Sequence, residues 1–558
     1  MKSISLRIIF LVACSTSTFY MIHAMEPVKQ PYSAEDSSFA KASDDKSKGK
    51  QKHKRHGSLT EEFKQIVEPI LHKYSSHGLS DTATIAYYNA GISDGEKNYL
   101  QKRLPITKAA CETVLNRKLD EHSVPKITMI CSGGGYRAML CTAGSLCGAH
   151  KIGLLKCTTH LSTLSGSTWT TASWIATGKP ITLFREYLKE CAAKSFTECT
   201  IQEEELIAEA ILKKLHKSPF TPVDPYGYCL ANRLLKSLKE NRHAVTLSSL
   251  AQQIEKDPSI YPYPVFVAID GRESIITGQT WSDFTVHTVR DHNNNIHIPT
   301  KLYGTKFKKG KPSKHIYEES LGYNMGTWGS AFGANIHEIL KEMIKDPALR
   351  EAIESKIPKS IDSERPLHFY AEVPNYMREI ENIKDTTLSK EKYLQFVDAG
   401  LEINLPYPPV SGICPERKAD ILIFLDASAG PVGEQLQNVV TYAQKNKLPF
   451  PTIDFKNINN KTISVFKDET NKEAPVVIYM PRISDPELWQ KYESDPEFAQ
   501  FKLSGFDLDH ETNNGFAKTK EFQYKPEQSD LIMDQTEFNM RVNKDVIKEA
   551  INWWIDRK

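Results

Sequence analysis

Several things are missing from this 558-residue chain, and each absence removes a class of protein. Beyond the N-terminal segment no run of roughly 18 apolar residues occurs, so no transmembrane helix is expected. No Cys-x-x-Cys pair or Cys/His cluster is present, which removes a zinc site, and no metal is expected. The ten cysteines lack the spacing of a disulfide scaffold. Cys131, Cys141, Cys147 and Cys157 fall inside apolar runs, where a buried free thiol is the plainer expectation. A surplus of one charge is missing too. The formal net charge of +2 gives no reason to expect nucleic acid and none to exclude a membrane surface. There is no internal repeat, and after residue 57 no low-complexity linker. What remains, 40% hydrophobic and 25% charged, suits a large globular protein with an ample core.

The N-terminus is unlike the rest. Lys2 and Arg7 precede Ile8–Ala13, and small or polar residues lead on to Ala24. Residues 1–24 therefore read as a secretory signal peptide, with Leu11-Val12-Ala13-Cys14 offering a rival lipoprotein cleavage box. Residues 25–57 read as a disordered basic linker. Lys46, Lys48, Lys50, Lys52, Lys54 and Arg55 crowd a segment too polar to offset its ordering entropy. Such a strip is either a solvated linker or an attractor of anionic headgroups, worth about 1 kcal/mol per charge near the surface. At Ser58 and Glu61 a capping box opens a helix carrying Leu59, Phe63, Ile66, Val67, Ile70 and Leu71, with Pro69 a possible kink.

From there to Lys558 strand-like runs alternate with helical patterns. Residues 126–131, 159–164, 263–269 and 419–425 are the strand candidates. Residues 542–555 form an amphipathic helix. The alternation predicts an α/β fold, three layers α/β/α around a central mostly parallel sheet. The polar stretch from about 337 to 392 reads as a lid or cap insertion.

Two short turns carry the chemistry. Each follows a strand-like run and precedes a helix-like one. The first is Ser132-Gly133-Gly134-Gly135-Tyr136-Arg137, the second Leu164-Ser165-Gly166-Ser167-Thr168-Trp169. The glycine run lacks the Gly-Lys-Ser/Thr ending of a phosphate loop and the G-x-G-x-x-G spacing of a dinucleotide fold. Its bare N–H groups suit an oxyanion instead. Ser165 sits where a nucleophile would be exposed, although Thr163 and Ser167 replace the outer glycines of a G-x-S-x-G elbow. On spacing alone Ser165 is equally well a helix-capping serine. Arg137, at the start of the next helix, suits either an anionic substrate group or a structural ion pair. His160, five residues before Ser165 on a strand, points away and is taken as structural. Asp270, Asp398 and Asp426 each follow an apolar run, and periodicity does not choose among them as a base.

These segments resemble the catalytic domain of the cytosolic (group IV) phospholipase A2 family, related to patatin-like lipases and fungal phospholipase B/lysophospholipase. The resemblance covers nearly everything from about residue 80 onward, giving a catalytic domain over 58–558. It rests on S-G-G-G-[FY]-R-A-M at Ser132–Met139, on L-S-G-S-T-W at Leu164–Trp169, and on D-[SA]-G-L-x-x-N-L-P-Y-P at Asp398–Pro408. Weaker matches are Gly326–Phe332, Lys447–Pro451 and Asn543–Ala550. The family uses a Ser–Asp dyad without histidine. The resemblance therefore implies Ser165 as nucleophile, Asp398 as base, Gly134 and Gly135 as oxyanion hole, and Arg137 as the phosphate-binding residue. It implies hydrolysis of a glycerophospholipid acyl ester at a membrane surface, with no cofactor. Thr163 departs from the glycine usual there. Only residues 1–57 precede the expected order, too few for a calcium-dependent docking domain, so calcium independence is expected. A leader is atypical of the cytosolic members, which leaves secreted or cell-envelope and cytosolic placements both open. A catalytically inactive lipid-binding relative and a Ser-His-Asp esterase are the competing alternatives.

Overall fold

The computed structural model describes residues 87–88, 91–195, 218–271, 281–313, 317–331, 370–381 and 387–557, with isolated positions 206, 209, 210, 213, 216 and 383. The expected leader, basic linker, first helix from Ser58, and residues 337–369 of the expected insertion lie outside them.

One mixed sheet organises the chain. In chain order its strands are β1 (Tyr87–Tyr88), β2 (Ile127–Cys131), β3 (Thr158–Thr163), β4 (Tyr263–Asp270), β5 (Trp281–Phe284), β6 (Thr288–Asp291) and β7 (Ile296–Pro299). They continue as β8 (Ala371–Pro374), β9 (Tyr393–Val397), β10 (Ile421–Asp426), β11 (Ser464–Phe466) and β12 (Val476–Pro481). The spatial order is β1-β7-β6-β5-β4-β3-β2-β10-β12-β11, with β9 on β4 and β8 on β9. The five central strands β4, β3, β2, β10 and β12 run parallel, and antiparallel strands flank them.

Helices cover both faces, as the α/β/α expectation requires. Those used below are α1 (Asp94–Leu115), α2 (Gly135–Lys151), α3 (Gly166–Thr177), α4 (Val223–Leu234), α5 (Leu321–Trp328), α6 (Glu434–Lys445), α7 (Pro526–Val542) and α8 (Lys544–Asp556). The period of two in the strands splits the core. Ile127, Met129, Ile421, Ile423, Val476 and Ile478 face the larger cluster, with α2, α7 and α8. Ile130, Leu422, Phe424, Val477 and Tyr479 face the smaller one, against Leu436, Val439 and Ala443 of α6. The central strands read as continuous apolar runs because both of their faces are covered.

The four expected strands form, each within two residues of its expected ends. The expected helix over 542–555 forms as α8, Lys544–Asp556, and Asn543 separates it from α7. There Asn543 Nδ2 donates to Asn539 O at 2.8 Å and to Thr462 Oγ1 at 3.0 Å, tying the break to the core. The described end of the expected insertion does not stand apart as a lid. Residues 371–374 pair with β9 and so join the sheet. No described helix is long and apolar enough to cross a membrane. The eight described cysteines are free and buried.

A buried charge network fastens α1 to the sheet. Arg417 donates from Nε and NH2 to both Glu96 oxygens at 2.7 Å, and its NH1 pairs with Asp283 of β5 at 2.9 Å. His160 of β3 lies 3.3 Å from the same Glu96, so the histidine taken as structural is committed here. Burial alone would raise the Glu96 carboxyl, but Arg417 and His160 together hold it at about 2. Replacing Arg417 with methionine strands two buried carboxylates. It should cost about 3–5 kcal/mol in urea unfolding, the scale for breaking one side of a buried pair. In the native protein the Glu96 contribution is present above pH ~4.5 and is lost as pH falls toward 2. An R417M midpoint equal to the native one would contradict this role.

Candidate active site

Strand ends bring three turns together. β2 and β3 run parallel with Cys131 opposite Thr163, so the glycine turn and the Ser165 turn leave the sheet side by side. β4 carries β3 along one edge as far as the Thr163–Phe266 pair. Further along β4, β9 arrives antiparallel, with Val397 opposite Ile269 and Phe396 opposite Asp270. β9 therefore runs toward the end of β3, and the residue after it is Asp398. Ser165 and Asp398 meet across that gap.

Ser165 caps α3 with φ 52° and ψ −125°, a region that side-chain-bearing residues rarely enter. Its carbonyl accepts from Thr168 N at 2.9 Å and its residue is 3% exposed. Only glycine fits next in the chain, because a Cβ on Gly166 would collide with the Gly135 carbonyl. The two turns are thus in backbone contact. Gly134, at φ 135°, holds a conformation closed to other residues, and as N-cap and first residue of α2 Gly134 and Gly135 carry amides the helix leaves without internal acceptors. A third tie is Asn404. Its Nδ2 donates to Gly133 O at 3.1 Å and to Ser428 Oγ at 2.7 Å, while its carbonyl accepts from Gly133 N at 3.2 Å. Asn404 belongs to the same motif as Asp398, so it staples the glycine turn to the loop bearing the acid.

Asp398 is 1% exposed. Burial pushes its carboxyl up to about 6, against the opposing influence of Gly400 N, the Ser165 hydroxyl and the Ala331 backbone nearby, and Oδ2 has no hydrogen-bond partner among the described residues. Gly400 N donates to Oδ1 at 2.8 Å. The Asp398 N–H is held by Ser330 Oγ at 3.1 Å, which itself donates to Thr327 O at 3.0 Å. That gives the weak motif around Gly326–Ala331 a positional role; Phe332 lies outside the described residues. Tyr226 of α4 is close enough to feel the Asp398 charge. Ser330, Asn404 and Tyr226 were not singled out from sequence. The first two stood inside recognisable motifs, whereas nothing marked Tyr226. The competing acids are engaged elsewhere: Asp426 accepts from Tyr479 Oη at 2.8 Å and Ser428 N at 2.9 Å, and Asp270 ends β4 opposite Phe396.

Arg137 lies buried under the glycine turn. Nε donates to Ala427 O at 2.8 Å, and NH1 to Ala517 O at 2.8 Å and Thr519 Oγ1 at 3.1 Å. Among the described residues NH2 has no acceptor, and no carboxylate pairs with the guanidinium. A Cβ on Gly134 would strike NH2, so those free donors sit beside the bare amides. Burial lowers the Arg137 pKa to about 10.

Thr163 fits without opening the turn. It is fully buried between Cys131 and Phe266, and its Oγ1 has no partner among the described residues. Removing an orphaned buried hydroxyl while keeping the shape should be neutral or stabilising by up to ~1 kcal/mol. Thr163→Val is therefore expected to melt at or above the native temperature in calorimetry. A drop of several degrees would mean that the hydroxyl has a partner.

Comparison with known proteins gives a consistent picture. A family-wide sequence profile described as "Lysophospholipase catalytic domain" matches residues 127–445. The chain is similar to cytosolic phospholipase A2 zeta of Mus musculus, 25% identical over an alignment of 548 positions that covers 84% of this chain and 62% of that protein. It is equally similar to cytosolic phospholipase A2 epsilon of Homo sapiens, 25% identical over an alignment of 537 positions that covers 84% of this chain and 60% of that one. The chain thus spans about three fifths of the length of these curated relatives. Among solved structures, human GIVD cytosolic phospholipase A2 superposes with a TM-score of 0.70 at 21% identity, covering 86% of this chain and 69% of that one. The same human protein in complex with methyl gamma-linolenyl fluorophosphonate gives 0.64, covering 86% and 66%. These superpositions speak to the fold.

Proposed function

This chain belongs to the lysophospholipase catalytic-domain family, and on that premise we propose that it hydrolyses the acyl ester of glycerophospholipids, as a phospholipase A2 or lysophospholipase, through a Ser165–Asp398 dyad. The arrangement that carries this reading is Asp398, buried at the end of β9, its carboxyl pushed up to about 6 yet held down in part by the nearby Ser165 hydroxyl, and its Oδ2 without a hydrogen-bond partner among the described residues.

Asp398 takes the Ser165 proton as Oγ attacks the ester carbonyl. The Gly134 and Gly135 amides receive the developing oxyanion, and Arg137 holds the lipid phosphate through its free NH2 donors. Collapse of the tetrahedral intermediate expels the lysophospholipid oxygen, which recovers the proton from Asp398, and leaves an acyl-Ser165. Water activated by the same carboxylate then releases the fatty acid. Two side chains and two amides complete this cycle, so the chemistry is proposed to be calcium-independent. His160 is committed to Glu96, which weighs against a Ser-His-Asp relay. The free Arg137 donors beside the oxyanion amides weigh against an inactive lipid binder. The cytosolic relatives favour a cytosolic enzyme acting peripherally at membranes over export by a leader.

Ser165→Ala and Asp398→Asn are each expected to abolish release of labelled fatty acid from phospholipid vesicles, by ~10³-fold or more, with thermal melting retained. Native turnover in either variant would overturn the dyad. The base works ionised, so kcat/KM should rise with pH through an apparent pKa near 6 and level off above it. A profile flat from pH 5 to 8 would remove Asp398 as the base.

A further inference from the structure

A cleft opens at the C-terminal ends of β10 and β12, between α2 and α7. α2 forms one wall with Cys141, Thr142 and Ser145, and Thr536 and Asn539 of α7 form another. Asp426, Ala427 and Arg482 close it from the strand ends. The location is the switch point of the sheet. β2 leads to β3 on one side while β10 and β12 lie on the other, and crevices at such points receive ligands.

The cleft is joined to the site already described. Arg137, Cys141 and Ser145 stand at i, i+4 and i+8 on α2, so Arg137 heads the row that lines it. Arg137 Nε holds Ala427 O in its wall. Thr142 Oγ1 lies 2.8 Å from Ser167 Oγ, two residues after Ser165. The polar inventory is asymmetric. Arg482 is 2% exposed; its NH2 donates to Gly430 O at 2.6 Å and pairs with Asp509 at 2.9 Å, but its Nε has no acceptor among the described residues. Asp426 receives one donor on each oxygen, Ser428 N at 2.9 Å and Tyr479 Oη at 2.8 Å, and a carboxylate has room for about four. The cleft thus presents an unspent donor of the buried Arg482 guanidinium beside a carboxylate with unspent acceptors, while the unspent NH2 of Arg137 lies next to it under the glycine turn.

We propose that Arg482 and Asp426 form a headgroup subsite. Arg482 shares the phosphodiester with Arg137, and Asp426 takes the ammonium or hydroxyl end of the headgroup. The class of ligand is a zwitterionic or hydroxylated glycerophosphodiester. This proposal rests on the phospholipid-hydrolase reading above and adds its headgroup selectivity.

Deacylated glycerophosphoethanolamine separates the subsite from the chemistry, since it carries no ester to cleave. Calorimetric titration should show it binding native protein and Ser165→Ala alike, with affinity reduced about tenfold or more in Arg482→Gln and in Asp426→Asn, the scale of one charge-assisted hydrogen bond. In turnover, Arg482→Gln should raise KM for phosphatidylethanolamine vesicles about tenfold. The kcat/KM ratio of that lipid over p-nitrophenyl decanoate, which has no phosphate, should fall by the same factor. If Arg482→Gln does not fold, Ser145→Met narrows the cleft from the α2 wall and should block glycerophosphoethanolamine. Binding that Arg482→Gln leaves unchanged would overturn the proposal. So would binding of inorganic phosphate with none of the diester, or equal losses on both esters. Absence of turnover on either ester in the native protein would sink the hydrolase reading, while the titration would still decide the subsite.

Discussion

β4 offers a single edge to two strands in succession. β3 occupies its first half and β9 its last residues, and because β9 runs the other way, the two chain ends face each other. A hydrogen-bond register is a stiff constraint, since a slip of one residue would turn every side chain to the other face. That register decides how far Asp398 stands from Ser165. Most of the remaining structure holds the two approaching ends at one height.

The supports follow from this. Ser330 fixes the Asp398 amide, Asn404 ties the acid's loop to the glycine turn, and Gly166 lets that turn touch the serine's backbone. Behind the sheet, Glu96, Arg417 and Asp283 bind α1 and β5 to the loop after β9, with His160 of β3 in the same network. Buried ion pairs are weak stabilisers relative to apolar substitutes, but they tolerate little variation in geometry. Here they constrain the strands whose ends bring Ser165 and Asp398 together.

The parallel centre of the sheet was legible because strands buried on both faces are uninterrupted apolar runs. Those around Ile127, Leu161, Val265 and Ile423 stood out for that reason. The meander β5–β7 did not, since its four-residue strands carry Ser282, Asp283, Arg290, Asp291 and His297, whose burial depends on partners far away in sequence. The last helix was legible as an amphipathic stripe over 542–555, whereas its separation from α7 rests on a local side-chain bond at Asn543. At the site, Ser165 and the glycine turn were visible as turn chemistry. The choice of Asp398 over Asp270 and Asp426 came from motif likeness, because all three end apolar runs alike. What separates them physically is strand direction and pairing, which one-dimensional periodicity does not carry.

Delivering the acid on a paired strand has a further consequence for divergence among homologues. The chain between Ala331 and Tyr370 is bracketed by two anchors, Ser330 holding the Asp398 amide and β8 zipped to β9. Insertions or deletions within that bracket leave the register of β9 on β4 untouched. Length and composition there can drift at little expense to the placement of Asp398 beside Ser165. Variation in that segment should therefore be decoupled from variation in the motifs around Ser165 and Asp398.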